Sequence, residues 1–370
     1  MNKFKCWGLS AVLLASSMGF VSCNDDDDDN TANPVEESVL AGKKHDTALL
    51  LCTFGSTFRE SIKTYDQVIA DYKNEPTFKD CDVYLAFTSR TCVNRVFAET
   101  GIERFQPDLW LDAFGKAGYK RVAVQSLHVI PGEEYLSLMN TDVKKNFMAS
   151  AWPDIEVVKG TPLLFEQEDI DAVADALFAH YQTKLADKNQ VVLLMGHGNP
   201  DKLYVANDRY TLLEEALLER AANKNIFVGT VDYGNMLFYT DQDGDGKEDA
   251  TCVYAKLKKY CADNGVEPSA VGISMAPLMS IAGDHAHNDM WGIEDGDDFS
   301  NATPDADVCW RLKLLKMGFR INEDESHHGG LDNCTIPGLA DNATIRAVWL
   351  EHMKSLFQEN AWESWNEHLE

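Results

Sequence analysis

Residues 281–290 read IAGDHAHNDM and follow, after Ser280, on the apolar run AVGISMAPLM. Crowded imidazoles and carboxylates at the end of a buried strand suit metal binding or proton transfer. Asp284 is expected to cap the next helix, with orientation of the His285 ring as its alternative role. Asn288 and Asp289 would begin the following turn, and His287 is expected to be exposed. A second imidazole, His197 in LLMGHGNP, leaves another apolar run between Gly196 and Gly198, which free the backbone and leave the ring uncovered. Asp232 ends the run VGTVD; alone it reads as a turn former. Together, His197, Asp232 and His285 suit a divalent first-row transition metal, with coordination positions left open for a substrate. They stand 35 and 53 residues apart, so only the fold can unite them. His128, with Glu133 and Glu134, lies in QSLHVIPGEE and could support such a site or accept a proton. Helix N-terminal charges are the simpler role for the two glutamates. Arg59, Arg90 and Arg95 are candidate clamps for a carboxylated ligand, or plain solvated side chains.

The elements that must position these residues alternate. TALLLCTF, DVYLAFT, RVAVQSL, IEVVKG, QVVLLMG, NIFVGTV and AVGISMAPL are strand-like, and segments such as 60–74, 103–117, 167–184, 208–222 and 252–263 carry helical spacing. This pattern predicts an α/β fold of two similar lobes, each a parallel sheet flanked by helices. The halves also resemble each other. LLCTFGS (50–56) aligns without gaps on LLMGHGN (193–199), and QSLHVIPGEE (125–134) on APLMSIAGDH (276–285), at offsets of 143 and 151. Open α/β sheets bind ligands beyond the carboxyl ends of their strands, so both motif pairs are expected to face one cleft. The expected divisions are residues 46–186 and 187–370.

The remaining features concern location and charge. A net charge of −27 over 370 residues argues against nucleic acid as a partner. Residues 1–22 carry Lys3 and Lys5 before a short apolar core, which reads as an export signal. The small residue before Cys23 resembles a bacterial lipoprotein signal, implying lipidation of Cys23 and an outer-membrane anchor, on the periplasmic or the cell-surface face. The acidic stretch from Cys23 to residue 45, with five consecutive aspartates, is expected to be a disordered tether. No CxxC or zinc spacing occurs among the cysteines. Cys52 reads as a small core residue, and a Cys309–Cys334 bridge is left open.

FGSTF, AFTSR, VQSLHVIPGEEY, MGHG, VGTVD, PLMSIAGDHAHNDM and GLADNATIR, in that order, resemble the single-subunit anaerobic sirohydrochlorin cobaltochelatases, a class II chelatase family. The resemblance spans about residues 47 to 355. It implies two α/β lobes with a tetrapyrrole between them, Co²⁺ or another divalent transition metal as substrate, and metal contacts at His197, Asp232 and His285. His128, Glu134, Arg59 and Arg90 would then meet the macrocycle. Asp232 stands where that family usually has Glu. An insertion at about 238–251 is also added, in which Asp241, Asp243, Asp245 and Asp249 follow a calcium loop that lacks its final glutamate, so Ca²⁺ and a solvated loop both remain open. No phosphate-cradling Gly-Lys loop occurs, and no ATP is expected. Homo-oligomerisation is left open. The exported location also admits a different activity: a lipoprotein that binds haem or a corrinoid, or removes its metal.

Overall fold

The computed structural model describes residues 33–200, 205–238, 251–292, 299–302, 308–322 and 336–366. The chain divides into two units, Met1–Asn33 and Pro34–Glu370, and the fold described here is that of the second. Residues 1–22, Cys23, Asp241, Asp243, Asp245, Asp249 and Cys334 lie outside the described residues.

Two parallel four-stranded sheets form the frame, as the alternating pattern predicts. In the first, β1 (Thr47–Thr53), β2 (Cys81–Phe87), β3 (Arg121–Ser126) and β4 (Glu156–Gly160) lie in the order β2-β1-β3-β4. In the second, β5 (Gln190–Gly196), β6 (Ile226–Thr230), β7 (Gly272–Pro277) and the short β8 (Arg320–Ile321) lie in the order β6-β5-β7-β8. β1 is buried at every residue after the first, and β7 throughout. Strands covered on both faces need continuous rather than alternating apolar residues, which is why they stand out in the sequence.

The two sheets repeat one another in register. Thr53 pairs with Phe87 and Cys52 with Ser126; in the second sheet Gly196 pairs with Thr230 and Met195 with Pro277. The bonds beyond the strands repeat too. The Leu127 and Leu278 amides donate to Cys52 and Met195 carbonyls, each at 2.7 Å, and Ser89 and Asp232 amides donate to Phe54 and His197 carbonyls at 3.1 and 3.0 Å. These are the positions paired by the sequence offsets.

Helices cover the sheets: α1 (Pro34–Gly42), α2 (Arg59–Asn74), α3 (Arg90–Thr100), α4 (Pro107–Lys116), α5 (Glu133–Leu136), α6 (Gln167–Leu185), α7 (Asp208–Arg220), α8 (Val253–Asn264), α9 (Trp310–Lys316) and α10 (Ala343–Gln358). Two π-helices, Ser137–Ala151 and His285–Trp291, follow the matching motifs after β3 and β7. Two boundaries differ from the sequence expectation. The tether does not run to residue 45, because α1 buries Val35 and Val39 in one cluster with Trp110, Leu111 and Phe114. This spacing of four residues places both valines on one helical face. α10 packs not with the second sheet but on β3, β4 and α6 of the first part of the chain, burying Ile345, Trp349 and Met353.

Candidate functional site

β5 delivers His197 at its carboxyl end. The turn after it depends on Gly198, whose φ of 94° is left-handed and whose absent side chain would lie 1.6 Å from the Asp232 carbonyl oxygen. Only glycine lets the two strand ends approach so closely. The His197 Nδ1–H donates to the Gly198 carbonyl at 2.8 Å, which leaves Nε2 with its lone pair outward. His285 comes from the loop after β7, in the first turn of its π-helix. Its Nδ1–H donates to Asp289 Oδ2 at 2.6 Å, which again leaves Nε2 available. The two rings meet edge to face with centroids 4.7 Å apart.

Their surroundings push the two imidazoles apart in basicity. Desolvation lowers the His197 pKa, the charge of His285 lowers it further, and the Gly198 bond and Asp232 offset this only in part. Desolvation also acts downward on His285, but the bond to Asp289 and the charges of Asp289, Asp232 and Asp284 outweigh it, so its pKa is raised. Opposite shifts in adjacent groups divide the labour of holding and releasing protons.

Asp232 is exposed, and its charge acts on both rings. Among the described residues, however, no three His, Cys, Asp or Glu side chains gather closely enough to hold an ion. The structure thus unites the imidazole pair and leaves the carboxylate on its rim.

The first part of the chain brings a different set to its own strand ends. His128 Nδ1 lies 2.9 Å from Ser126 Oγ, and its Nε2 lies 3.4 Å from Thr88 Oγ1. The same Thr88 hydroxyl lies 3.3 Å from Glu134 Oε2. Desolvation lowers the His128 pKa to about 4 and raises that of Glu134, the latter helped by Glu133. Arg59 and Arg90 are exposed at the starts of α2 and α3, and Arg90 Nε donates to Gln106 Oε1 at 3.1 Å.

Three expectations about the IAGDHAHNDM segment are corrected. His287 is not exposed: it is 1% accessible and stacks on Phe58, since the loop before α2 covers it. Asp284 makes no side-chain cap but accepts from Asn288 Nδ2 at 2.9 Å. The carboxylate that orients His285 is Asp289, four residues on, a spacing legible in the sequence once this segment is helical. The contacts that join the two parts had no local signal. Ser56 Oγ donates to the Ala282 carbonyl at 3.4 Å, and Asn199 Oδ1 accepts from the Glu133 amide at 2.9 Å. Ser56 and Asn199 occupy matching positions in the repeat, as do the segments they meet.

With this geometry established, the chain can be set beside known proteins. A family model described as cobalt chelatase (CbiK) matches residues 47–358. The sirohydrochlorin cobaltochelatase of Salmonella typhimurium is 25% identical over 306 residues, covering 83% of this chain and 94% of that protein. Sirohydrochlorin cobaltochelatase CbiKC of Nitratidesulfovibrio vulgaris is 27% identical over 308 residues, covering 82% and 88%. The solved structure of SirB from Bacillus subtilis with Fe³⁺ aligns at 12% identity with a TM-score of 0.49, covering 85% of this chain and 96% of that one.

Proposed function

The chain belongs to the cobalt chelatase (CbiK) family, and from that premise we propose that it inserts Co²⁺ into sirohydrochlorin without ATP. The observation that supports this most is the imidazole pair, with centroids 4.7 Å apart and both Nδ1 atoms already engaged. Two outward Nε2 lone pairs are what a borderline divalent metal takes from a protein, and the remaining positions are then left to the macrocycle.

Metal insertion exchanges one divalent ion for two pyrrole protons. In this reading His197, already neutral, meets the ion first, and His285 joins it by giving up its proton. Asp232 offsets the ion's charge from the rim. Once the ion passes to the macrocycle, His285, its basicity raised by Asp289, accepts one departing proton. Glu134 serves as the acceptor on the opposite side, since desolvation favours its protonated form. His128, Arg59 and Arg90 meet the periphery of the macrocycle. We further propose export, with Cys23 lipidated and the domain held at the outer membrane.

The test is visible spectroscopy of the soluble domain with sirohydrochlorin and with haem, each with and without Co²⁺. Conversion of sirohydrochlorin to its metallated spectrum without ATP supports the proposal. A spectrum that reports binding of either macrocycle but never metallation replaces insertion by tetrapyrrole binding.

A further inference from the structure

Both imidazoles of the pair come from the second sheet, yet the segment that carries His285 is gripped by the first part of the chain. Phe58, immediately before α2, lies face to face with His287, ring centroids 3.7 Å apart and planes 5° from parallel. His287 is itself tied back, since its Nδ1–H and its backbone amide both donate to the Gly283 carbonyl, at 2.8 and 3.1 Å. Just upstream, the hydroxyls of Ser61 and Ser56 both donate to the Ala282 carbonyl. His285 therefore lies between two held points, the Ala282 carbonyl and the His287 ring. Phe58 is not free to drift either: its amide donates to Ser56 Oγ at 3.1 Å, and its carbonyl accepts from the Ile62 amide at 3.0 Å as α2 begins. Side chains two residues apart on a helix point to nearly opposite sides. Pinning the His287 ring against Phe58 thus holds the backbone from which His285 departs on the other side, while Asp289 holds the ring itself.

We propose that Phe58 is a positioning residue for metal insertion: through its stack on His287 it sets the aim of His285 Nε2, so that one part of the chain tunes the metal geometry carried by the other. This rests on the reading of His285 as a metal-holding group. Small displacements of a reacting group are expensive in rate, about a hundredfold for an ångström. An aliphatic side chain at position 58 would fill the space but could not hold the imidazole plane parallel.

The experiment compares the wild-type chain with Phe58→Leu, Phe58→Tyr and His285→Ala. Two quantities are read: the visible d–d spectrum of protein-bound Co²⁺ without tetrapyrrole, and kcat and KM for sirohydrochlorin metallation. Phe58→Leu is expected to alter the Co²⁺ spectrum and lower kcat about tenfold while KM for the macrocycle stays within about twofold. Phe58→Tyr, which keeps the planar ring, restores the spectrum and most of kcat. A merely structural Phe58 would shift the melting temperature and leave the Co²⁺ spectrum unmoved. If His285→Ala loses the spectrum while Phe58→Leu keeps it, the positioning role is overturned and the metal reading stands. If His285→Ala itself keeps spectrum and rate, the metal reading falls and takes this role with it.

Discussion

At equivalent strand ends, held by equivalent hydrogen bonds, the two sheets present different chemistry. Where the second has His197 the first has Phe54, a residue 45% exposed; where the second has His285 the first has Glu134. Asp232 corresponds to Ser89, and Met279 to His128. The backbone is alike and the side chains differ. Groups able to hold a transition metal collect on one side, and an apolar ring with a hydroxyl-linked acid and imidazole collects on the other. In the proposed reaction a macrocycle is both metallated and deprotonated, which needs two unlike surfaces, and the repeated fold offers two like frames on which to build them.

The comparison can be broken most severely at the imidazole pair. His197→Ala and His285→Ala are each expected to lower Co²⁺ insertion by more than about a hundredfold, beyond what loss of a ligand's supporting partner costs. Adding Phe54→His to His197→Ala should not restore it, although the new ring occupies the matching position. Restoration, read as appearance of the metallated sirohydrochlorin spectrum, would show that the two sides are interchangeable.

Acidity sharpens the contrast, because His285 on one side and His128 on the other are shifted in opposite senses. The raised pKa of His285 makes it the first of the pair to take a proton as pH falls, so Co²⁺ affinity should drop below that value, and binding should release a proton. Asp289→Asn removes the main upward cause. It should move the midpoint down, because the protonated ring loses its partner, and weaken Co²⁺ about tenfold through loss of orientation. Affinity titrations across pH 5–8 decide this; an unmoved midpoint would remove Asp289 from the account.

His128 carries the opposite sign. Its pKa is lowered to about 4 in the folded state, against roughly 6.5 unfolded. Its neutral form therefore stabilises the fold fully above the unfolded value, and that contribution is lost as pH falls toward 4. Discounted for partial exposure, the loss is roughly 1–2 kcal/mol at pH 4.5. His128→Gln should flatten this dependence, as melts at pH 7 and 4.5 would show. Equal acid sensitivity in the variant would point to other groups.

The smallest expected effect lies in the two braces. Asn199→Ala strands the Glu133 amide and should cost about 1 kcal/mol. Ser56→Ala loses both its 3.4 Å bond to the Ala282 carbonyl and the acceptor of the Phe58 amide, so it should cost about as much. Calorimetry that found either variant as stable as the wild type would remove that brace from the account.

Much of the frame was legible because fully buried strands force continuous apolar runs, and because the gapless offsets matched positions that do share hydrogen bonds. β8, only two residues long, left no run to see. α10 was legible as neither strand nor partner, since its allegiance to the first sheet depends on contacts hundreds of residues away. At the site, Gly-His-Gly marked His197 correctly as uncovered. His287 is buried rather than exposed because its cover, Phe58, comes from more than two hundred residues away, and Asp289 rather than the neighbouring Asp284 holds His285 because the segment is helical. Local spacing identifies which side chains can react; burial and aim are decided by the partner that arrives from elsewhere.

The crossing of α10 has a practical meaning for anyone cutting the chain. Trp349, from this helix, donates its indole N–H to the His128 carbonyl at 3.2 Å, and Glu363 bridges to Val157 on β4. A fragment ending near residue 186 would leave that face of the sheet uncovered and its imidazole loop without support. A first half that keeps this cover is therefore discontinuous in sequence, because residues 343–366 belong to its packing.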